Sequence, residues 1–420
     1  MARLRKLEGR TRAVGRGGDG VVETDEGIVF VPGVLPGERV ELELKTSKRG
    51  ARRGRLARLL TTSPHRVEPS CPELARCGGC PLMVADSKLQ RDVKLAFLRE
   101  ACDGIAGAGS VEFGWVESDE VLGYRRRARL AWQGAAFGYR RAGTRRVEDI
   151  ERCLVIGPDL HAAWTHTRGA LRGAVVGGGE IRLERAGDAG VVVGLSTRDA
   201  QPPTVFQACE SLSRCDRVAG VTLSTAADTA PATWGETTLA LGEGDDTLLA
   251  PPSSFAQANA GVNRRLVEHV VQLAEPTGVR VLELHSGVGN FTVALAAASP
   301  SSLVAVEQDS KAVEYCRENL RSHGLEARVT VGDANSPPNG RFDVVVLDPP
   351  RHGARPFFEK SGVLPGPKRI VYVSCDTATL SRDLRIATAA GYRLDTAVGF
   401  DMFPQTAHLE SLVRLVRTGA

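Results

Sequence analysis

The 420-residue sequence contains no run of about 18 consecutive apolar residues, which excludes a membrane-spanning helix as an organising element. Its opening, Met-Ala-Arg-Leu-Arg-Lys, is basic but is followed by no apolar stretch, so no secretion signal is expected. It has little net charge, with 54 Lys and Arg against 50 Asp and Glu, and it has no internal repeat and no low-complexity segment. These absences point to a cytoplasmic globular protein. In that reducing compartment nine cysteines do not read as a disulfide framework. What is present fits ordinary packing: 42% hydrophobic and 25% charged residues, in a length that suggests two or three domains. No membrane partner and no obligate protein partner is expected.

The charge is unevenly placed. Residues 1–60 hold 14 Lys and Arg against 8 Asp and Glu, and from Lys45 to Arg58 there are seven basic residues and no acid. Such a run attracts phosphate backbones through counterion release, although a solvated positive loop has the same composition. The same region reads as short strands broken by glycine turns. Ile28-Val29-Phe30-Val31 is apolar and Val40-Glu41-Leu42-Glu43-Leu44 alternates with period two, so a small β-barrel is predicted. Val31-Pro32-Gly33-Val34-Leu35-Pro36-Gly37-Glu38 resembles the TRAM module, an OB-like RNA-binding barrel, and the adjoining basic run favours RNA over a structural cap.

Residues 63–250 form a less distinctive central α+β region. A helical stretch runs from Lys88 to Cys102, and β-like runs include Arg127 to Trp132 and Val191 to Leu195. Tyr124-Arg125-Arg126-Arg127 and Tyr139-Arg140-Arg141 suit base stacking and phosphate contact, or pairing with local acids. Cys71, Cys77 and Cys80 cluster around a Cys-Gly-Gly-Cys, with Cys153 as a distant fourth thiol. Four thiolates suit an iron–sulfur cluster or structural zinc, and spacing does not decide between them. The remaining scattered cysteines read as buried thiols.

From residue 251 onward apolar strands alternate with helical segments, the pattern of a parallel α/β sheet. The strand Val279 to Leu284 runs into His285-Ser286-Gly287-Val288-Gly289-Asn290, a glycine turn that permits close ligand approach at a strand's carboxyl end. Thr292 breaks the full Gly-x-Gly-x-x-Gly of a dinucleotide fold. The next strands end in Glu307, whose carboxylate suits a ribose diol, and in Asp333, placed by position alone to contact an adenine. A fourth strand ends in Asp348-Pro349-Pro350-Arg351, and a fifth in Ser374-Cys375-Asp376-Thr377, where a helix N-terminus favours thiolate. Phe403-Pro404-Gln405-Thr406-Ala407-His408-Leu409-Glu410 leads into a final strand.

Asp-Pro-Pro-Arg, Val-Ser-Cys and Phe-Pro-x-Thr-x-His-x-Glu, in this order, resemble the RNA uracil-5-methyltransferases. Phe255-Ala256-Gln257-Ala258-Asn259 matches the family segment before the methyltransferase sheet. The resemblance spans nearly the whole chain. It implies a multidomain protein: a TRAM barrel at 1–62, a central region with iron–sulfur cysteines at 63–250, and a class I (Rossmann-like) methyltransferase at 251–420. It implies S-adenosylmethionine as cofactor, with Gln257, His285, Asn290, Glu307 and Asp348 at cofactor-binding positions beside the Gly287 turn. It also implies a [4Fe–4S] cluster on Cys71, Cys77, Cys80 and Cys153. The implied chemistry is covalent. Cys375 adds to uracil C6, C5 takes the methyl group, and Glu410 removes the C5 proton, on a uridine splayed from its stack. Phe255 is expected either to pack on that base or to be a core phenylalanine. The layout resembles the 23S ribosomal RNA enzymes more than those of transfer RNA. Rival readings are a methyltransferase for another base, a transfer RNA enzyme, and a catalytically idle RNA-binding homologue. Two departures stand out. His285-Ser286 replaces an aromatic and a cysteine, and Asp376-Thr377 replaces Asn-Pro, which puts a carboxylate beside Cys375 that is expected to disfavour its thiolate.

Overall fold

The computed structural model describes residues 5–45, 51–105, 111–226, 228, 230–242, 244–360 and 366–418. Residues 46–50 of the basic run expected to face RNA lie outside the described residues. β1 (Arg5–Val14), β2 (Gly20–Thr24), β3 (Gly27–Val31), β4 (Arg39–Lys45) and β5 (Arg53–Thr61) close into a barrel in the order β1-β2-β3-β5-β4. Strand alternation explains its interior: Val22, Val29, Val31, Val40 and Leu42 point inward and are fully buried. Closure needs Gly9, because a Cβ there would lie 2.5 Å from the Glu23 carbonyl oxygen across the ladder. The turn after β3 ends in a fully buried Glu38, which accepts from Leu35 N at 2.7 Å and Ser63 N at 3.2 Å. Arg66 grips both oxygens of that carboxylate and so fastens the barrel to the following segment.

After the short helix α1 (Leu74–Cys77) comes α2 (Ser87–Cys102), whose N-cap Asp86 accepts from Leu89 N at 2.8 Å. β6 (Glu112–Val116) follows. A central sheet is then built from β7 (Arg127–Gln133), β8 (Ala136–Arg140), β9 (Val147–Asp149), β10 (Gly178–Arg185), β11 (Val191–Thr197), β12 (Val218–Ser224) and β13 (Ala232–Gly235). Its order is β13-β12-β11-β10-β7-β8-β9, and α3 (Pro158–Leu171) and α4 (Thr204–Leu212) cover a core that holds the buried Trp132 of β7 and Trp164 of α3. A hairpin of β14 (Leu239–Leu241) and β15 (Leu248–Ala250) leads into the last part of the chain.

There α5 (Ala260–Ala274), α6 (Thr292–Ala297), α7 (Ser310–Ser322), α8 (Arg355–Lys360) and α9 (Thr377–Ala389) accompany the strands. These are β16 (Arg280–Leu284), β17 (Ser302–Glu307), β18 (Arg328–Val331), β19 (Val344–Leu347), β20 (Arg369–Ser374), β21 (Tyr392–Phe400) and β22 (Glu410–Arg417). The sheet order is β18-β17-β16-β19-β20-β22-β21-β6. β16 to β20 are parallel, as expected, but β22 runs antiparallel between β20 and β21. The sheet also recruits residues expected in the central region. β6 pairs with β21, Gly114 leaving room for Val398, and α2 buries Val93, Phe97 and Leu98 in one core with Tyr372, Leu380 and Leu384. The packing therefore does not follow the expected 63–250 boundary: a five-residue strand carries too little pattern to show which sheet it joins.

Candidate active site

The carboxyl ends of the parallel strands gather the predicted residues. The turn after β16 places His285 at φ +64°, Gly287 at +55° and Gly289 at +102°. The N–H groups of His285 and Ser286 both donate to the Val306 carbonyl, at 2.9 and 3.2 Å, which locks the turn onto the end of β17. Glu307 is oriented from three sides: Oε2 accepts from Gly287 N at 3.0 Å, and Oε1 from Gln308 N at 2.8 Å and Asp309 N at 3.0 Å. Nothing lies within 4 Å of a Cβ built at Gly287, so that backbone is open to a ligand. Asp333 is exposed, its Oδ1 accepting from Asn335 N and Nδ2, both at 2.9 Å. His285 feels Glu307, His352 and Asp333; burial, reinforced by His352, lowers its pKa against the opposing pull of the two acids. An open glycine backbone flanked by two strand-end carboxylates fits an adenosyl ligand carrying a ribose diol. Two other predicted residues have partners of their own. Asn290 exchanges side-chain hydrogen bonds with Asn263 at 2.8 and 3.1 Å, and buried Gln257 lies before α5, where its carbonyl accepts from Arg126 Nε at 2.7 Å.

Sequence reading gave no role to Glu283, in the middle of β16. It is 1% exposed, and neither carboxylate oxygen reaches hydrogen-bond geometry, although the Thr292 hydroxyl lies close enough to favour the charged form. Burial pushes its pKa up to about 8, with Asp348 and Glu307 adding to the effect. The signal was a lone acid at an inward position of an otherwise apolar strand.

Asp348 links this side of the site to the second group. Cys375, at the end of β20, is under the influence of Glu410, Asp348 and Arg351. Burial first, then the two carboxylates, push the thiol up to about 12 against the opposing Arg351. The expected thiolate at a helix N-terminus is thus corrected, because burial and two carboxylates outweigh the dipole. The expected opposition from Asp376 is reassigned as well. Its Oδ1 caps α9, accepting from Ala378 N at 3.0 Å and Thr379 N at 2.9 Å, while Glu410 and Asp348 are the acids that raise the thiol. Burial pushes Asp348 up to about 7. Glu410, the first residue of β22 and 2% exposed, is raised well above the usual carboxylate range by burial and Asp348, and its Oε1 has no hydrogen-bond partner. Phe255, before α5, is 71% exposed and carries the Arg127 guanidinium 5.7 Å from its ring centre.

The four cysteines expected to hold a cluster meet in one neighbourhood. Burial pushes Cys77 up to about 11 and Cys80 up to about 12, and in each case Cys153 and the other thiols add to it. Cys71, Cys80 and Cys153 pack on Met83, Tyr124 and Val155, and the Tyr139 hydroxyl is hydrogen-bonded to Cys153. Among the described residues, however, no group of three or more His, Cys, Asp or Glu is drawn into an arrangement that holds a metal ion. The donor set suits a soft metal centre, since all four thiols are free.

Two family descriptions match the chain: the methyltransferase small domain over residues 247–359 and tRNA (uracil-5-)-methyltransferase over residues 339–418. A protein of Pectobacterium carotovorum named 23S rRNA (uracil(1939)-C(5))-methyltransferase RlmD is 37% identical, over 94% of this chain and 90% of its own length. A relative of the same name from Alkalilimnicola ehrlichii is 34% identical over 94% and 93%. The crystal structure of Pyrococcus abyssi tRNA (uracil-54, C5)-methyltransferase with S-adenosyl-L-homocysteine superimposes with a TM-score of 0.76 and 26% identity, covering 97% of this chain and all of that one.

Proposed function

Because the chain belongs to the RNA uracil-C5-methyltransferases, we propose that it methylates carbon 5 of a uridine in 23S ribosomal RNA, using S-adenosylmethionine. The observation that carries this reading is the convergence of Cys375, Asp348 and Glu410 beside the glycine turn and its strand-end acids. Ribosomal RNA is favoured over transfer RNA because the relatives named for it align at higher identity than the structural neighbour named for transfer RNA.

When bound, S-adenosylmethionine supplies an electrophilic methyl group. Glu307 and Asp333 would receive its ribose and adenine, Gly287 would let it approach the backbone, and His285 would flank it. The chain's own residues do the rest. Cys375 Sγ attacks uracil C6 as its proton passes to a neighbouring carboxylate; Asp348, raised above the usual carboxylate range by burial, is suited to accept it. The electron pair displaced from the ring double bond makes C5 nucleophilic, and C5 takes the methyl group. Glu410 then removes the C5 proton, the C5–C6 double bond re-forms and the C6–S bond breaks, returning the sulfur. A strongly raised pKa makes Glu410 a capable base once ionised. Arg351 opposes the carboxylates and favours charge on Cys375. Phe255 and Arg127 would stack on the extruded base.

The barrel would act as a TRAM-type RNA clamp. Cys71, Cys77, Cys80 and Cys153 would hold a [4Fe–4S] cluster that fixes the loop between barrel and catalytic unit. A brown, iron-containing preparation is expected, and a colourless one containing zinc would overturn that assignment. For the activity, 23S and transfer RNA transcripts are incubated with labelled cofactor and mapped for 5-methyluridine by mass spectrometry. Label at C5 of a ribosomal uridine supports the proposal, label confined to transfer RNA overturns the substrate, and label on another base overturns the mechanism.

A further inference from the structure

The segment that delivers Glu410, residues 401–409, is fastened from outside the methyltransferase sheet sequence. Lys94, on α2, is 0% exposed; its Nζ donates to Asp401 Oδ1 at 2.6 Å and to the Phe403 carbonyl at 3.0 Å. One turn earlier on the same helix face, Gln90 Nε2 donates to Gln405 Oε1 at 3.0 Å, and Gln90 Oε1 accepts from Gln405 N at 2.9 Å. Gln405 has φ +69°, a left-handed conformation that a non-glycine residue adopts only when its surroundings hold it there. The Gln405 carbonyl accepts from Leu82 N at 3.0 Å, and the Pro404 carbonyl from the Tyr124 hydroxyl at 3.1 Å. Burying an ammonium is costly unless a counter-charge and further hydrogen bonds meet it, and here both come from the same loop.

Glu410 is the first residue of its strand, paired to Phe400 at the end of β21, so its placement depends on the loop between them. Both β20 and β22 are hydrogen-bonded on two sides, from Ser374 and Ser411 inward, and what differs is that Glu410 sits where the clamped loop enters β22 while Cys375 leads into α9. Losing the clamp would therefore disturb the base before the nucleophile. We infer that Lys94 and Gln90 are positioning residues for proton removal: they hold the loop that aims Glu410 at uracil C5. The inference rests on the reaction proposed above, and it separates that reaction into a step that needs the clamp and one that does not.

The sulfur adds to C6 and the methyl group to C5 without Glu410; only departure of the C5 proton, with return of the C6–S electron pair to sulfur, requires it. RNA containing 5-fluorouridine has no C5 proton to remove, so its methylated adduct stays on Cys375 whatever the base does. The test uses full-length Gln90→Leu and the double variant Lys94→Met/Asp401→Asn, which removes the buried ammonium and its half-buried partner together, with ribosomal RNA transcripts. On fluorinated RNA both variants should form the denaturant-resistant adduct at the parent rate. On ordinary RNA 5-methyluridine release should fall by about 10²-fold, within the range a general base contributes, while the methylated adduct accumulates. Parent-like release overturns the inference. So does joint loss of adduct and release in variants that still fold and bind cofactor, since the clamp would then serve the site at large. If the parent itself forms no adduct on fluorinated RNA, the reaction reading fails instead.

Discussion

Replacing Glu283 by glutamine should flatten the pH dependence of stability. The folded protein keeps a proton on this carboxyl up to about pH 8, whereas the unfolded chain loses it near its ordinary 4.5. Between those values the folded state binds the extra proton, so its stability falls as pH rises. For a single site raised in this way, linkage gives a ceiling of a few kcal/mol lost from pH 5 to pH 8. Structural relaxation and the charges of Asp348 and Glu307, which titrate with it, reduce this to an expected 1–3 kcal/mol, to order of magnitude. Urea unfolding of the parent and of Glu283→Gln at pH 5, 6, 7 and 8 gives the difference in stability at each pH, in which most other titrations cancel. The variant should gain on the parent steadily as pH rises. Parallel curves would refute the reasoning, because they would mean that the buried acid is charged in the fold or hydrated.

Cys375→Ala should abolish both methyl transfer and the fluorouridine adduct while cofactor binding persists, checked by labelled transfer, denaturing gels and calorimetry. Adduct formation by the parent should rise with pH through the neutral range, because a thiol pushed up to about 12 gains thiolate with each step in alkalinity; a rate that is flat from pH 6 to 9 would contradict this. Arg351→Met should lower that rate at every pH by removing the cation that opposes Glu410 and Asp348. Asp376→Asn should leave turnover and stability nearly unchanged, since asparagine also caps a helix, whereas Asp376→Ala should lose about 1 kcal/mol in urea unfolding.

Much of the site was legible in the residues. Glycines after an apolar strand and acids ending the next two strands announced the turn at 285–290 and the pair Glu307 and Asp333. What escaped reading depends on groups brought together from distant parts of the chain. The helix N-terminus and Asp376 were read as opposing influences on Cys375, and local sequence does not show that burial, Glu410 and Asp348 supply the opposition instead. Lys94 looks like any helix lysine among Lys88, Arg91 and Asp92, and only the fold shows that it points inward. The barrel was legible because alternation over Val40 to Leu44 is long enough to set a face. β6, Glu-Phe-Gly-Trp-Val, was not, because it has no such alternation.

The pairing of β6 with β21 also orders events on the ribosome. Glu112 meets Thr396, about 280 residues further along the chain. At 5–20 residues per second, roughly 15–60 s pass between synthesis of the two partners. During that interval the apolar face of α2 must wait for α9, while the barrel already has all its strands and the central sheet gains the last of its own at Gly235. The catalytic unit is therefore the last part to close, and a nascent chain truncated before β21 would have a finished barrel and central sheet and no reaction centre.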